Sequence, residues 1–190
     1  MNRARLEAFS DGVIAIIVTI MVLELKAPHD TTLAALRELL PRFLSYTLSF
    51  LVVAIMWVNH HHMMHTVKRV DARLLWCNNL LLFWMSLIPF VTAYMGENHA
   101  APLPVALYGG VLTLSAASFT LLRVVLVRHD RSDPELAEHH QAVLRKNVFS
   151  TALYASSVPF AFVSVPLAFA IFVLIPVLYF LPERKLEERG

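Results

Sequence analysis

Two groups of residues in this chain are of types that do chemistry. Arg5, Ser10 and Asp11 lie in the opening turns of an apolar run that continues to Leu25. Trp57-Val58-Asn59-His60-His61-His62-Met63-Met64-His65 closes a second apolar run. An ionisable group at membrane depth is costly, so it marks function or a buried structural lock. On a helix, His61 and His65 stand at i, i+4 and His62 and His65 at i, i+3, spacings from which two imidazoles reach one metal ion. Three adjacent His point in three directions, and no Cys or second acidic cluster accompanies them. The run is therefore read as structural, with no metal assigned. A buried Asp11 needs a partner, which Arg5, a His or an Asn would supply. One or two of the His are expected to bond Asp11 or Ser10. Asn78 and Asn79 open a third apolar run, where an Asn usually bonds across to another helix. The Trp57 indole, if buried beside the His run, also needs an acceptor. Together these residues read as a polar lock tying the first three helices together. A proton relay is the other reading.

The elements that hold these residues are membrane spans. The chain of 190 residues is 57% hydrophobic and 16% charged, against about a quarter charged in a soluble domain. Charges gather in short clusters between apolar runs, the pattern of an all-α polytopic membrane protein. A net charge of +2 gives no reason to expect nucleic acid as a partner. The lone Cys77 forms no intrachain disulfide. Glu7 and Asp11 interrupt what a signal peptide would keep basic and then apolar, so the first run is expected to stay in the mature protein.

Six spans of about 20 residues fit the chain. They run roughly over 6–25, from Pro41 to 65, 74–95, 105–127, and as two short spans within 148–181. Pro159 and Pro166 bracket the last reversal, and Asp133-Pro134-Glu135 is a good helix start. With a cytoplasmic N-terminus, the inner segments hold Arg3, Arg5, Lys68, Arg69, Arg73, Arg128, Arg131, Arg145, Lys146, Arg184, Lys185 and Arg189. The outer segments hold Lys26, Arg37 and Arg42. That asymmetry predicts both termini inside. One domain, residues 1–190, is expected.

Enzyme signatures are missing. There is no Gly-x-Ser-x-Gly, no His-Glu-x-x-His, and no Gly-rich phosphate loop among five glycines. No Thr-Val-Gly-Tyr-Gly filter is present either. Tyr108-Gly109-Gly110 reads as a close-packing site for a neighbouring helix. In the first span, Ile16, Thr19, Ile20 and Leu23 fall at i, i+3, i+4 and i+7, one helical stripe. It faces neighbouring helices or, in a symmetric oligomer, the axis. Asp11 lies about 140° around the helix from Ile16 and is expected to face away from such an axis.

Arg5-x-x-x-Phe9-Ser10-Asp11-Gly12, followed by Ala15-Ile16 and ending in Leu23-Glu24-Leu25-Lys26, resembles the signature of the transmembrane protein 175 family. The similarity extends to Trp57-x-x-His60-His61, to Asp71 and Asn78, and to Pro89-Phe90. That family includes the endosomal and lysosomal potassium channel of animals and shorter prokaryotic relatives. A single-repeat chain resembles the prokaryotic form. The resemblance implies a homotetrameric channel in the cell membrane, selective for potassium and without a cofactor, its pore lined by the first helix. By position, Ile16 falls at the family's narrow hydrophobic constriction, Ile20 and Leu23 continue the lining, and Thr19 falls at a hydroxyl layer linked to selectivity. Arg5, Phe9, Ser10, Asp11, Trp57, His60, His61 and Asn78 form the signature network. The runner-up is a secondary transporter or proton-coupled carrier titrating Asp11 and the His60–His65 cluster. Against it stand the missing inverted repeat and the lack of a helix clearly broken at mid-membrane.

Overall fold

The computed structural model describes residues 2–67, 69–98, 101–129 and 134–180. Lys68, Arg131, Asp133, Leu181, Arg184, Lys185 and Arg189, named above, lie outside the described residues. Among the described residues seven α-helices make six rods: α1 (Arg3–Leu23), α2 (Leu33–His65), α3 (Ala72–Ser86), α4 (Ile88–Glu97), α5 (Pro102–His129), α6 (Pro134–Val163) and α7 (Val165–Phe180). Four stretches have the length and apolarity to cross a membrane: Arg3–Leu23, Leu33–His65, Ala72–Glu97 and Pro102–Val127. The α6–α7 hairpin supplies the other two rods.

The helix starts follow from local chemistry. Asn2 caps α1 by accepting from the Arg5 amide at 3.0 Å. Thr32 caps α2 through the Ala35 amide at 3.2 Å. Asp71 caps α3 through the Leu74 amide at 2.8 Å. Each side chain satisfies a donor that the first helical turn leaves orphaned. The α2 helix starts eight residues before Pro41 and runs through it, a helix of 33 residues.

The third span was expected to be continuous. It is interrupted at Leu87, between α3 and α4. Pro89 explains the break: it has no amide to donate to Met85, and its ring crowds that carbonyl. The Leu87 amide turns back to Trp84 O at 3.2 Å, and α4 restarts with Val91 donating to Leu87 O at 3.2 Å. Between α6 and α7 the chain reverses at Ser164, within the bracket of Pro159 and Pro166. Tyr179 Oη reaches back to Asn147 Oδ1 at 3.0 Å and closes the hairpin. Pro159 is carried inside α6. Pro166 occupies the first turn of α7, where a missing amide costs nothing.

The core is a continuous apolar cluster drawn from all seven helices. Gly109 fits the close-packing expectation: a Cβ there would run into Ser157 Oγ of α6 and touch the Phe172 ring of α7. At Gly110 a Cβ would meet nothing. Tyr108 is fully buried and accepts a hydrogen bond from Ser49 Oγ at 3.0 Å, and Ser49 Oγ in turn lies 2.7 Å from Thr92 Oγ1. The first helix packs against α2, α3 and α4, so part of its circumference has no neighbour within the chain.

Candidate functional site

The site is built on the two faces of α1. Leu6, Ser10, Ile14, Ile17 and Met21 are buried. At 100° per residue they centre about 120° from Ile16, in the direction of Ser10. The opposite stripe is open. Ile16 is 58% exposed, Ile20 42% and Leu23 74%. Thr19, Gly12, Phe9 and Arg5 are exposed on the same stripe. A row of large apolar side chains on a helix whose other side is fully packed is a surface awaiting cover.

Thr19 punctuates this row. Its hydroxyl donates to Ile16 O at 3.0 Å within its own helix, which leaves the oxygen lone pairs free to accept on the open side. Beside the stripe the break at Leu87 leaves a groove of about 550 Å³, bounded by Ile16, Ile20, Pro89, Phe90 and Tyr94, with the carboxylates of Glu24 and Glu97 among its walls. Glu97 also meets Arg42 at 4.0 Å.

The buried face is fixed by a polar relay through three helices. Ser10 Oγ donates to Leu6 O at 2.9 Å and accepts from Asn78 Nδ2 at 2.9 Å. Asn78 Oδ1 lies 2.8 Å from His60 Nε2. Ser10, Asn78 and His60 are all 0% exposed. The chain of donors fixes the tautomer. Asn78 spends its amide on Ser10, so its oxygen must accept, and His60 carries its proton on Nε2. No hydrogen-bond partner among the described residues reaches His60 Nδ1, as suits the unprotonated nitrogen of a neutral ring. One buried amide thus joins α1, α2 and α3.

Asp11 takes a different partner from those expected. Trp57 Nε1 donates to Asp11 Oδ1 at 2.9 Å, so the aspartate and the indole answer one another's need. Arg5 is exposed and takes no part in this pair, and neither His60 nor His61 bonds Asp11. The reason is angular. Asp11 is about 140° from Ile16 but on the side away from Ser10, about 100° from the centre of the buried face. It sits half-buried at the flank of α1, facing α2, rather than within the bundle. Phe9, grouped above with the network, points to the open side, 55% exposed.

His61 and His65 form a second cluster with Glu7 and Arg3. Glu7 Oε1 lies 3.1 Å from His61 Nδ1 and 3.7 Å from His65 Nε2. His65 Nε2 and His61 Nε2 are 3.0 Å apart. Arg3 donates to His65 O at 3.0 Å and reaches His65 Nδ1 at 3.1 Å. The sequence reading missed Glu7 and Arg3 here. The signal was the spacing of Arg3, Glu7 and Asp11, successive positions four residues apart on the same helix.

The sequence model described as Endosomal/lysosomal potassium channel TMEM175 matches residues 5–89, a stretch that carries Ser10, Asp11, Trp57, His60 and Asn78. A potassium channel of Chryseobacterium sp. (strain P1-3) is 42% identical over 188 residues, covering 99% of this chain and 97% of its own. A potassium channel of Streptomyces collinus is 36% identical, over 94% of this chain and 92% of its own. The crystal structure of a lysosomal potassium-selective channel TMEM175 homolog from Chamaesiphon minutus superposes with a TM-score of 0.82 at 29% identity, covering 99% of this chain and 98% of that one.

Proposed function

The chain belongs to the endosomal/lysosomal potassium channel TMEM175 family, and on that premise we propose that it is a potassium-selective cation channel whose pore is lined by α1. Four chains assemble around an axis with the stripe of Ile16, Thr19, Ile20 and Leu23 turned inward. The single observation that carries this reading is that stripe: apolar, open along the helix, and opposite a face locked by Ser10, Asn78 and His60. Cytoplasmic termini, as the Lys and Arg distribution favours, put the polar lock at the inner end of the pore. The membrane is the cell membrane.

The mechanism follows from the side chains. Among the described residues no run of glycines offers a carbonyl ladder to replace an ion's hydration shell. A ring of four Ile16 side chains closes a water column by dewetting, and a modest widening readmits water and ions. Thr19 adds a ring of hydroxyl oxygens whose lone pairs face the ion path and favour partial dehydration of potassium over sodium. The lock holds α1 at a fixed rotation, so that Ile16 and not its neighbours defines the constriction.

The carrier reading has less support. His60 is committed to Asn78 and Asp11 to Trp57, so neither stands free beside a substrate cavity. Recordings from purified protein in planar bilayers test the proposal. Unitary potassium currents, with a reversal potential that follows potassium over sodium, are expected. Slow, saturable flux without unitary currents would contradict it.

A further inference from the structure

The geometry points to a second site: Glu7, His61 and His65 form a binding site for one divalent transition-metal ion of the zinc class, clamping the N-terminal end of α1 to the C-terminal end of α2. Each residue offers one ligand atom, and the three atoms lie within 4.8 Å of one another. Ligands about 2.0–2.1 Å from a tetrahedral zinc stand roughly 3.3 Å apart. The separations from Glu7 Oε1 of 3.1 Å to His61 Nδ1 and 3.7 Å to His65 Nε2 bracket that value. Two imidazoles and a carboxylate are a donor set that zinc accepts, with a fourth position left for water. His61 and His65 are 39% and 51% exposed at their side chains, so an ion can enter from solution.

A second observation supports the assignment. His61 Nδ1 is shielded from solvent and makes no hydrogen bond of acceptable direction among the described residues, although Glu7 Oε1 is 3.1 Å away. Two polar atoms that approach closely without bonding one another are disposed as ligands of a common ion are. His61 thus ligates through Nδ1, the nitrogen that faces Glu7, while its Nε2, 3.0 Å from His65 Nε2, gives up that contact when His65 ligates. Arg3 is the opposing charge. It lies 3.8 Å from Glu7 and donates toward His65 Nδ1, and that bond is released when His65 ligates through Nε2 and its proton moves to Nδ1. The site does not depend on the channel reading, because its occupancy is measured on protein at equilibrium.

The test uses full-length, untagged protein in detergent, stripped with chelator and titrated calorimetrically with zinc chloride. One zinc per chain is expected to bind saturably. Glu7→Gln and His65→Gln should each weaken binding at least about 100-fold, beyond the usual loss when an outer-shell partner is removed. His62→Gln, on the adjacent exposed residue, should bind zinc as the parent does. Cobalt in place of zinc should give the intense visible bands of a tetrahedral ion, and these should vanish in His61→Gln. A melting temperature unchanged by the four substitutions shows that folding is intact. Absence of saturable zinc binding, or binding indifferent to Glu7→Gln and His65→Gln, would overturn the proposal.

Discussion

Replacing Asn78 by Ala would leave the buried His60 Nε2 without its acceptor and remove the donor to Ser10 Oγ, which keeps its bond to Leu6 O. Interhelical bonds of this kind in membranes contribute about 1–2 kcal/mol in model systems. Asn78→Ala is therefore expected to lower the melting temperature of the detergent-solubilised protein, and an unchanged melting curve would remove the lock from the account. Asp11 and Trp57 form a separable pair. Asp11→Ala and Trp57→Phe should be non-additive, coupled by about 0.5–3 kcal/mol as residues in direct contact are; strict additivity in a double-mutant cycle would mean that the 2.9 Å bond contributes nothing. On the open stripe, Ile16→Asn should raise conductance, because a polar ring removes the dewetting barrier with little change of volume. Thr19→Val should keep conduction but reduce discrimination of potassium from sodium, read as a reversal potential moving toward zero under opposed gradients. The lock was legible in the sequence to the extent that Ser10, Asn78 and the His run were singled out as joining three helices. The partner of Asp11 was not. A helical wheel gives the angle between Asp11 and Ile16 but not the direction of the buried face, and that direction decides whether Asp11 meets α2 at its flank or sits in the bundle.

Helix packing beyond the lock depends on how closely rods approach. Gly109 brings α5 against α6, with Ser157 in the place a Cβ would occupy. Gly109→Ala should destabilise by about 1–3 kcal/mol, as overpacking of a filled core does. Ser157→Ala in the same chain should recover part of the loss. If the second substitution only adds to the first, the close approach is not the cause. Hydropathy located all six rods because it averages over about 20 residues. The same averaging hid the interruption at Leu87, since the missing amide of Pro89 leaves apolarity untouched. It also placed the fifth rod's start at Val148, where the apolar run begins, whereas α6 extends back to Pro134 through a polar stretch. The Asp133-Pro134 start signal marked that extension; the apolar count could not.

Among the described residues, α1 carries an apolar stripe that its own chain leaves open, as α2 does at Leu36, Leu40 and Phe43 and α3 at Trp76, Leu80 and Phe83; what sets α1 apart is the Thr19 hydroxyl within the stripe and the polar lock behind it. A monomer in lipid could bury that stripe in acyl chains. A tetramer buries it against water-poor space on the axis, and only the tetramer gives the Thr19 hydroxyl a function. Native mass spectrometry should therefore find four copies of the 21.5 kDa chain in a mild detergent. The expectation of a tetramer rests on family resemblance alone, because a stripe of Ile, Thr and Leu looks the same whether it faces lipid, a helix or an axis. The most direct measurement separates these environments. In a Cys77→Ser background, single cysteines are placed at Ile16 on the stripe and at Phe149, exposed on α6, and potassium flux into liposomes is followed before and after a cationic thiol reagent. Modification at position 16 is expected to block flux, and modification at position 149 to leave it unchanged. Full labelling at position 16 with flux undiminished would contradict a pore lined by α1.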